Sequence, residues 1–288
     1  MSQVALPPEP APILAVDLCY PDPPSIDPRA LTVRIRSALP GTTLVWAGPS
    51  NVLLRHERAD PAAPYRPDPA DILGLPPEHH PFTERDSYRT DLLLSAMTFA
   101  ADDRAEERDL SQSWHWPDAA ASLDRCRYLI TISQLIGRGR DSTERVHVFR
   151  AVLDAIIATV RPLATWWPAS QQALPPGALV AHPLTGVVNV RMFRSVHDPS
   201  VTMTDTLGLH TLGLPDIQCQ SRNLDPDRLG DLLFELAEYV CKHGDVLRPG
   251  SPVPGLSADQ QFVPSRRTAT VPPLRPVVDL DPGPGYDV

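Results

Sequence analysis

Lysine is almost missing from this 288-residue chain: Lys242 is the only one, and arginine supplies the rest of its 26 basic side chains. That skew fits a GC-rich coding sequence better than a functional demand. Acidic residues number 35 and the net charge is −9, so the clustered positive charge that phosphate binding requires is absent. Nucleic acid is excluded as the main partner. Cysteine is also scarce. Cys19, Cys126, Cys219 and Cys241 are widely separated and form no C-x-x-C pair, which argues against a zinc ribbon or a thioredoxin-like motif. They read as reduced, buried thiols. No apolar run is long enough to cross a bilayer, and no charged N-terminal region leads into an apolar stretch as in a secretory signal. The expectation is a cytoplasmic protein with no membrane partner.

What is present is a globular composition, with 42% hydrophobic and 21% charged residues. The length allows one large domain or two small ones. Proline is abundant, at 35 residues clustered over 7–28, 60–81 and 249–284. Proline fixes φ and removes a backbone donor. Residues 1–10 are therefore expected to be a flexible N-terminus, 60–86 a Pro-rich loop, and 248–288 a mobile tail. The remainder, 11–247, reads as a single α+β domain, with subdomains 11–100 and 101–247 as the alternative.

Local patterns place the elements. ILAVDLCY (13–20) is a strand, and Asp27-Pro28 opens a helix with Leu31, Ile35, Ala38 and Leu39 on one face. TTLVWA and NVLLRHE flank Gly48-Pro49-Ser50 as a hairpin. DLLLSAMTF (91–99) and 128–133 are strands, and Pro117 starts a short helix. Asp141 and Glu144 have the spacing of a capping box before a helix that Pro162 ends. VVNVRMF (187–193) is a strand that pairs with the next one, 202–209. The last helix is capped by Asp225, carries the stripe Leu229, Leu232, Leu233, Leu236, Ala237 and Val240, and stops at Gly244. Together these give an antiparallel or mixed sheet with helices 142–161 and 225–243 on one face. The likeness of 26–39 to 224–236 raises two related strand–helix modules as an alternative.

The segment TMTDTLGLHTLGLPD (202–216) carries Thr204, Asp205, His210 and Asp216 inside an apolar run. In a strand, Asp205 points opposite to Thr204 and Thr206. His210 reaches the same side only if the chain bends at Gly208. Asp205 and His210 are the catalytic candidates, since an Asp–His couple supplies a base. No serine or cysteine nucleophile flanks them and no G-x-S-x-G exists. The competing reading is structural, with Asp205 and Thr204 bonding backbone at a turn and His210 a satisfied, half-buried imidazole.

Three further features have candidate chemistry. LITISQLIGRGRDSTER runs strand, loop, helix, which makes Arg138, Gly139 and Arg140 an anion-site candidate. Against it, the P-loop pattern and a third glycine are absent, and Asp141 brings its own carboxylate to the helix end. Glu78, His79, His80, Glu84 and Asp86 have metal-ligand chemistry, but adjacent histidines in an extended chain point apart, so no metal site is expected. Trp114, Trp116, Trp166 and Trp167 are interface candidates, with a core role for at least one of each pair.

VNVRMFR, MTDTLGLHTLGLPDIQ and the helix DPDRLGDLLFELAEYV, with ATWWPASQQALPP before them, resemble the C-terminal region of the bacterial domain of unknown function family 4261. The resemblance covers about residues 160–245. It implies a fold and a bacterial origin, and it carries no activity to any residue. The functional expectation is a non-catalytic module that binds another protein, in an immunity or stress setting, with no cofactor. The alternative is a hydrolase or a nucleotide- or phosphate-binding enzyme using the 137–145 loop or Asp205 and His210.

Overall fold

The computed structural model describes residues 13–46, 51–59, 87–98, 110–138, 141–195 and 198–286. The expected flexible residues 1–10 and the Pro-rich loop at 60–86 lie outside them. Strand β1 (Ala15–Tyr20) leads into helix α1 (Pro28–Ala38). Asp27 starts this helix by accepting from the N–H groups of Arg29 and Ala30 at 2.8 and 3.2 Å, while Pro28 fills the first turn, where no donor is missed. β2 (Thr42–Trp46), β3 (Asn51–Ala59) and β4 (Ser87–Thr98) follow. After the short α2 (Ala119–Asp124) come β5 (Tyr128–Arg138) and α3 (Ser142–Thr159). Asp141 caps α3 by accepting from the Glu144 N–H at 2.7 Å. β6 (Ala164–Trp167) and β7 (Gln172–Leu174) complete an antiparallel sheet in the order β2-β3-β4-β5-β1-β6-β7.

A second sheet holds β8 (Asn189–Arg194), β9 (Val201–Leu207), β10 (Asp216–Arg222), β11 (Val253–Pro254), β12 (Gln261–Thr268) and β13 (Pro276–Asp281). Its order is β11-β12-β13-β10-β9-β8, mixed because β13 runs parallel to β10. Helix α4 (Pro226–His243) lies on β8, β9 and β10 and meets α3, which packs against α1 and touches β4 and β5. The architecture is α+β, and the two long helices divide between the two sheets. One apolar core joins both halves. It takes Val16 and Ile132 from the first sheet, Ile217 and Val278 from the second, and Phe149 and Leu233 from the helices.

The chain after Arg248 corrects the expectation of a mobile tail. Phe262, Val277, Val278 and Leu280 are at most 1% exposed, and β13 sits between β10 and β12. The prolines fall where the sheet tolerates them. Pro276 opens its strand, and the Pro264 carbonyl faces outward to accept from the Gly250 N–H at 2.9 Å, so its missing donor costs no ladder bond. Counting prolines hid the alternation in PVVDLD.

Candidate functional site

The second sheet carries a polar row across its strands. Arg191 on β8 stands opposite Asp205 on β9, Asp205 opposite Gln218 on β10, and Gln218 opposite Asp279 on β13. Arg191 grips Asp205 with two parallel bonds, Nε to Oδ1 at 2.9 Å and Nη2 to Oδ2 at 2.6 Å. Its Nη1 donates to the Pro272 carbonyl at 2.9 Å and to Gln171 Oε1 at 3.2 Å. Arg275, in the loop just before β13, joins the same cluster. It donates to Asp205 Oδ2 at 2.9 Å, Asp216 Oδ2 at 2.8 Å and the Thr206 carbonyl at 2.7 Å. All four charged residues are nearly solvent-free, at 2%, 1%, 7% and 0% exposure for Arg191, Asp205, Arg275 and Asp216. Two guanidinium groups against two carboxylates leave the interior neutral, the condition under which burying such charges is tolerable.

Gly208 lets the chain leave β9 toward this cluster. Its φ is +132°, and a Cβ there would lie 1.9 Å from the Val187 carbonyl oxygen, so only glycine fits. The following 3₁₀ turn, Leu209–Leu212, carries His210 back to β10. There His210 Nδ1 lies 2.7 Å from Asp216 Oδ2. The other Asp216 oxygen accepts from the Leu209 N–H at 3.0 Å and the Thr206 hydroxyl at 3.3 Å.

The predicted pair is therefore not a pair. His210 belongs to Asp216, and Asp205 belongs to Arg191 and Arg275 rather than to backbone at a turn. Thr204 is fully buried with its hydroxyl unpartnered. With Nδ1 held by the carboxylate, His210 presents Nε2, which has no partner among the described residues. Both carboxylates are saturated by internal donors. Among the described residues, no group of three or more His, Cys, Asp or Glu side chains is placed to hold a metal ion. The two arginines escaped the sequence reading. Their signal was a charge inside an apolar strand run, in VNVRMF and in LRPVV, which demands a buried counter-charge.

Gly139 and Arg140, and the side chain of Arg138, lie outside the described residues. The Asp141 carboxylate that follows them is committed to the α3 cap. The segment at 78–86 is likewise outside. Trp166 and Trp167 are both in the core, at 6% and 1% exposure, whereas Trp114 is 60% exposed. Trp116 is partly buried against a small cluster around Cys19, Cys126 and Ala164. Strand alternation does not separate Trp166 from Trp167 because both faces of β6 are covered.

Trp114 sits in a segment that closes two sheet edges. The Gln112 amide pairs with the backbone of Met192 on β8, accepting from its N–H at 3.1 Å and donating to its carbonyl at 3.5 Å. Ser113 Oγ accepts from the Ala173 N–H of β7 at 2.9 Å. β7 and β8 are the outermost strands of their sheets.

The fold and its charged cluster define an α+β protein whose C-terminal sheet is organised around buried ion pairs. Residues 205–281 match the family model of a domain of unknown function, DUF4261. That stretch contains Asp205, His210, Asp216 and Arg275; against the 160–245 suggested by sequence it begins later, at 205, and runs further, through β13. No curated protein and no solved structure matches the chain. No described helix is long and apolar enough to cross a membrane.

Proposed function

We propose that this protein is a non-catalytic module that binds another protein, with Trp114 as an anchor. The observation that carries the reading is the exposure of Trp114 on a segment whose preceding residues Gln112 and Ser113 are both tied to strand edges. An aromatic side chain held out from a fixed backbone loses little freedom on binding, which is what an interface anchor needs. The net charge of −9 favours a partner with a basic surface around the pocket that receives it. Four buried cysteines, none in a disulfide, fit a reducing, cytoplasmic setting. Capture from the native host by the immobilised chain should recover one stoichiometric partner. Trp114→Ala should lose it while the thermal melt stays unchanged. Equal capture by the variant removes Trp114 from the interface.

A hydrolase is the second reading, favoured by the free Nε2 of a histidine whose Nδ1 is held by a carboxylate. Turnover in a phosphatase or esterase screen, lost in a folded His210→Gln variant, would establish it in place of the binding module.

A further inference from the structure

A cavity of about 510 Å³ opens between α3, the 176–184 segment and α4, on a different part of the molecule from Trp114 and the buried ion pairs. That size falls within the range of small-molecule pockets. Part of its wall is apolar: Val146, Leu179, Pro183 and Leu184 line it, and Val180 stands on the lining at 85% exposure.

The polar groups, Thr143, His147, Arg150, Asp154, His182, Glu238 and Lys242, are unequal in commitment. Arg150 lines the cavity and is only 8% exposed. A guanidinium has five N–H donors. Here it donates closely to the Leu179 carbonyl, and reaches the Thr185 carbonyl and the Asp154 carboxylate only at 3.5 Å each, the outer limit of a hydrogen bond. Asp154 already pairs with it four residues along the helix, and the N–H groups left over can serve a further acceptor. The two acids on the lining are less available. His182 Nδ1 accepts from the Leu184 N–H at 3.1 Å, so its proton is on Nε2, and Nε2 faces Glu238 at 3.6 Å. Asp154 faces Arg150, and its side chain is 57% exposed to water. Burial raises the Asp154 pKa and lowers the Arg150 pKa from their ordinary values, each opposed by the other's charge. Lys242, also on the lining, has no partner among the described residues. Spare cationic N–H donors, on Arg150 and on Lys242, therefore lie beside the apolar part of the wall.

We propose that the cavity binds a small amphipathic carboxylate, its head on Arg150 and Lys242 and its body against Leu179, Val180, Pro183 and Leu184. The test is calorimetric titration of the full chain with octanoate, octan-1-ol and octylamine, which share one body and differ in the head. Octanoate should bind at least tenfold more tightly than either analogue. Lys242→Glu and Val180→Glu, both on exposed positions, should each weaken octanoate several-fold with the thermal melt unchanged, and a folded Arg150→Gln should abolish its binding. Equal affinities for the three probes, no binding of octanoate, or unaltered affinity in the two glutamate variants would overturn the proposal. So would tighter binding of a short peptide ending in a free leucine carboxylate, which assigns the pocket to a polypeptide terminus.

Discussion

Arg275→Ala tests whether the ion-pair cluster holds the C-terminal half together. The substitution removes the bonds to Asp216 and Asp205 at 2.8 and 2.9 Å, and those to the Thr206, Val271 and Pro273 carbonyls. Asp205 keeps Arg191, and Asp216 keeps His210, Thr206 and Leu209. Asp216 then has no guanidinium partner, and Asp205 has one in place of two. Breaking a buried pair from one side costs about 3–5 kcal/mol, a large part of the roughly 5–15 kcal/mol that stabilises a domain. The melt should fall on the order of 10 °C. Arg267 is the control. Its side chain is 67% exposed and meets Asp279 at 3.0 Å, so Arg267→Ala should cost less than about 1 kcal/mol. Adding Asp216→Asn to Arg275→Ala removes the uncompensated charge and should recover part of the loss. Urea unfolding of the four proteins measures all of this. Equal small costs at Arg275 and Arg267 would refute the reasoning.

Three other outcomes are expected. Truncation after Leu247 deletes β12, β13 and Arg275 and should abolish cooperative unfolding; a native-like melt in the shortened chain would mean that these strands add nothing. Gly208→Ala should prevent normal folding, because the new Cβ meets the Val187 carbonyl, whereas Gly230→Ala finds its nearest neighbour, Val190, at 3.5 Å and should stabilise α4 by about 0.5–1 kcal/mol. Although His115 is exposed, partial desolvation by its neighbours lowers its pKa below the ordinary value, so the unfolded chain takes up the proton first as pH falls. Stability present above about pH 6.5 is then lost as pH falls through the folded value, and denaturant titrations across that window should be flatter for His115→Gln than for the parent.

The long helices and central strands were legible because capping and periodicity are local. Asp27, Asp141 and Asp225 announce their helices within a few residues, and the α4 stripe needs no tertiary information. The candidate site was half legible. His210 and Asp216 lie six positions apart, and Gly208 marks the bend that joins them. Arg275 is 70 residues from Asp205, so no local window connects the two, and proline content argued against any structure there. Pairing β13 in parallel with β10 required the long α4 connection and two intervening strands, which is topology rather than pattern.

The segment Gln112–His115 has a consequence for solubility. A β-sheet ends in a row of donors and acceptors that can template a foreign strand. Here a single stretch of chain blocks the open margin of β7 and, through Gln112, that of β8. One proteolytic nick, or a local opening of this turn, would uncover both templates together. Self-association of this protein should therefore begin by loss of one small latch and not by global unfolding.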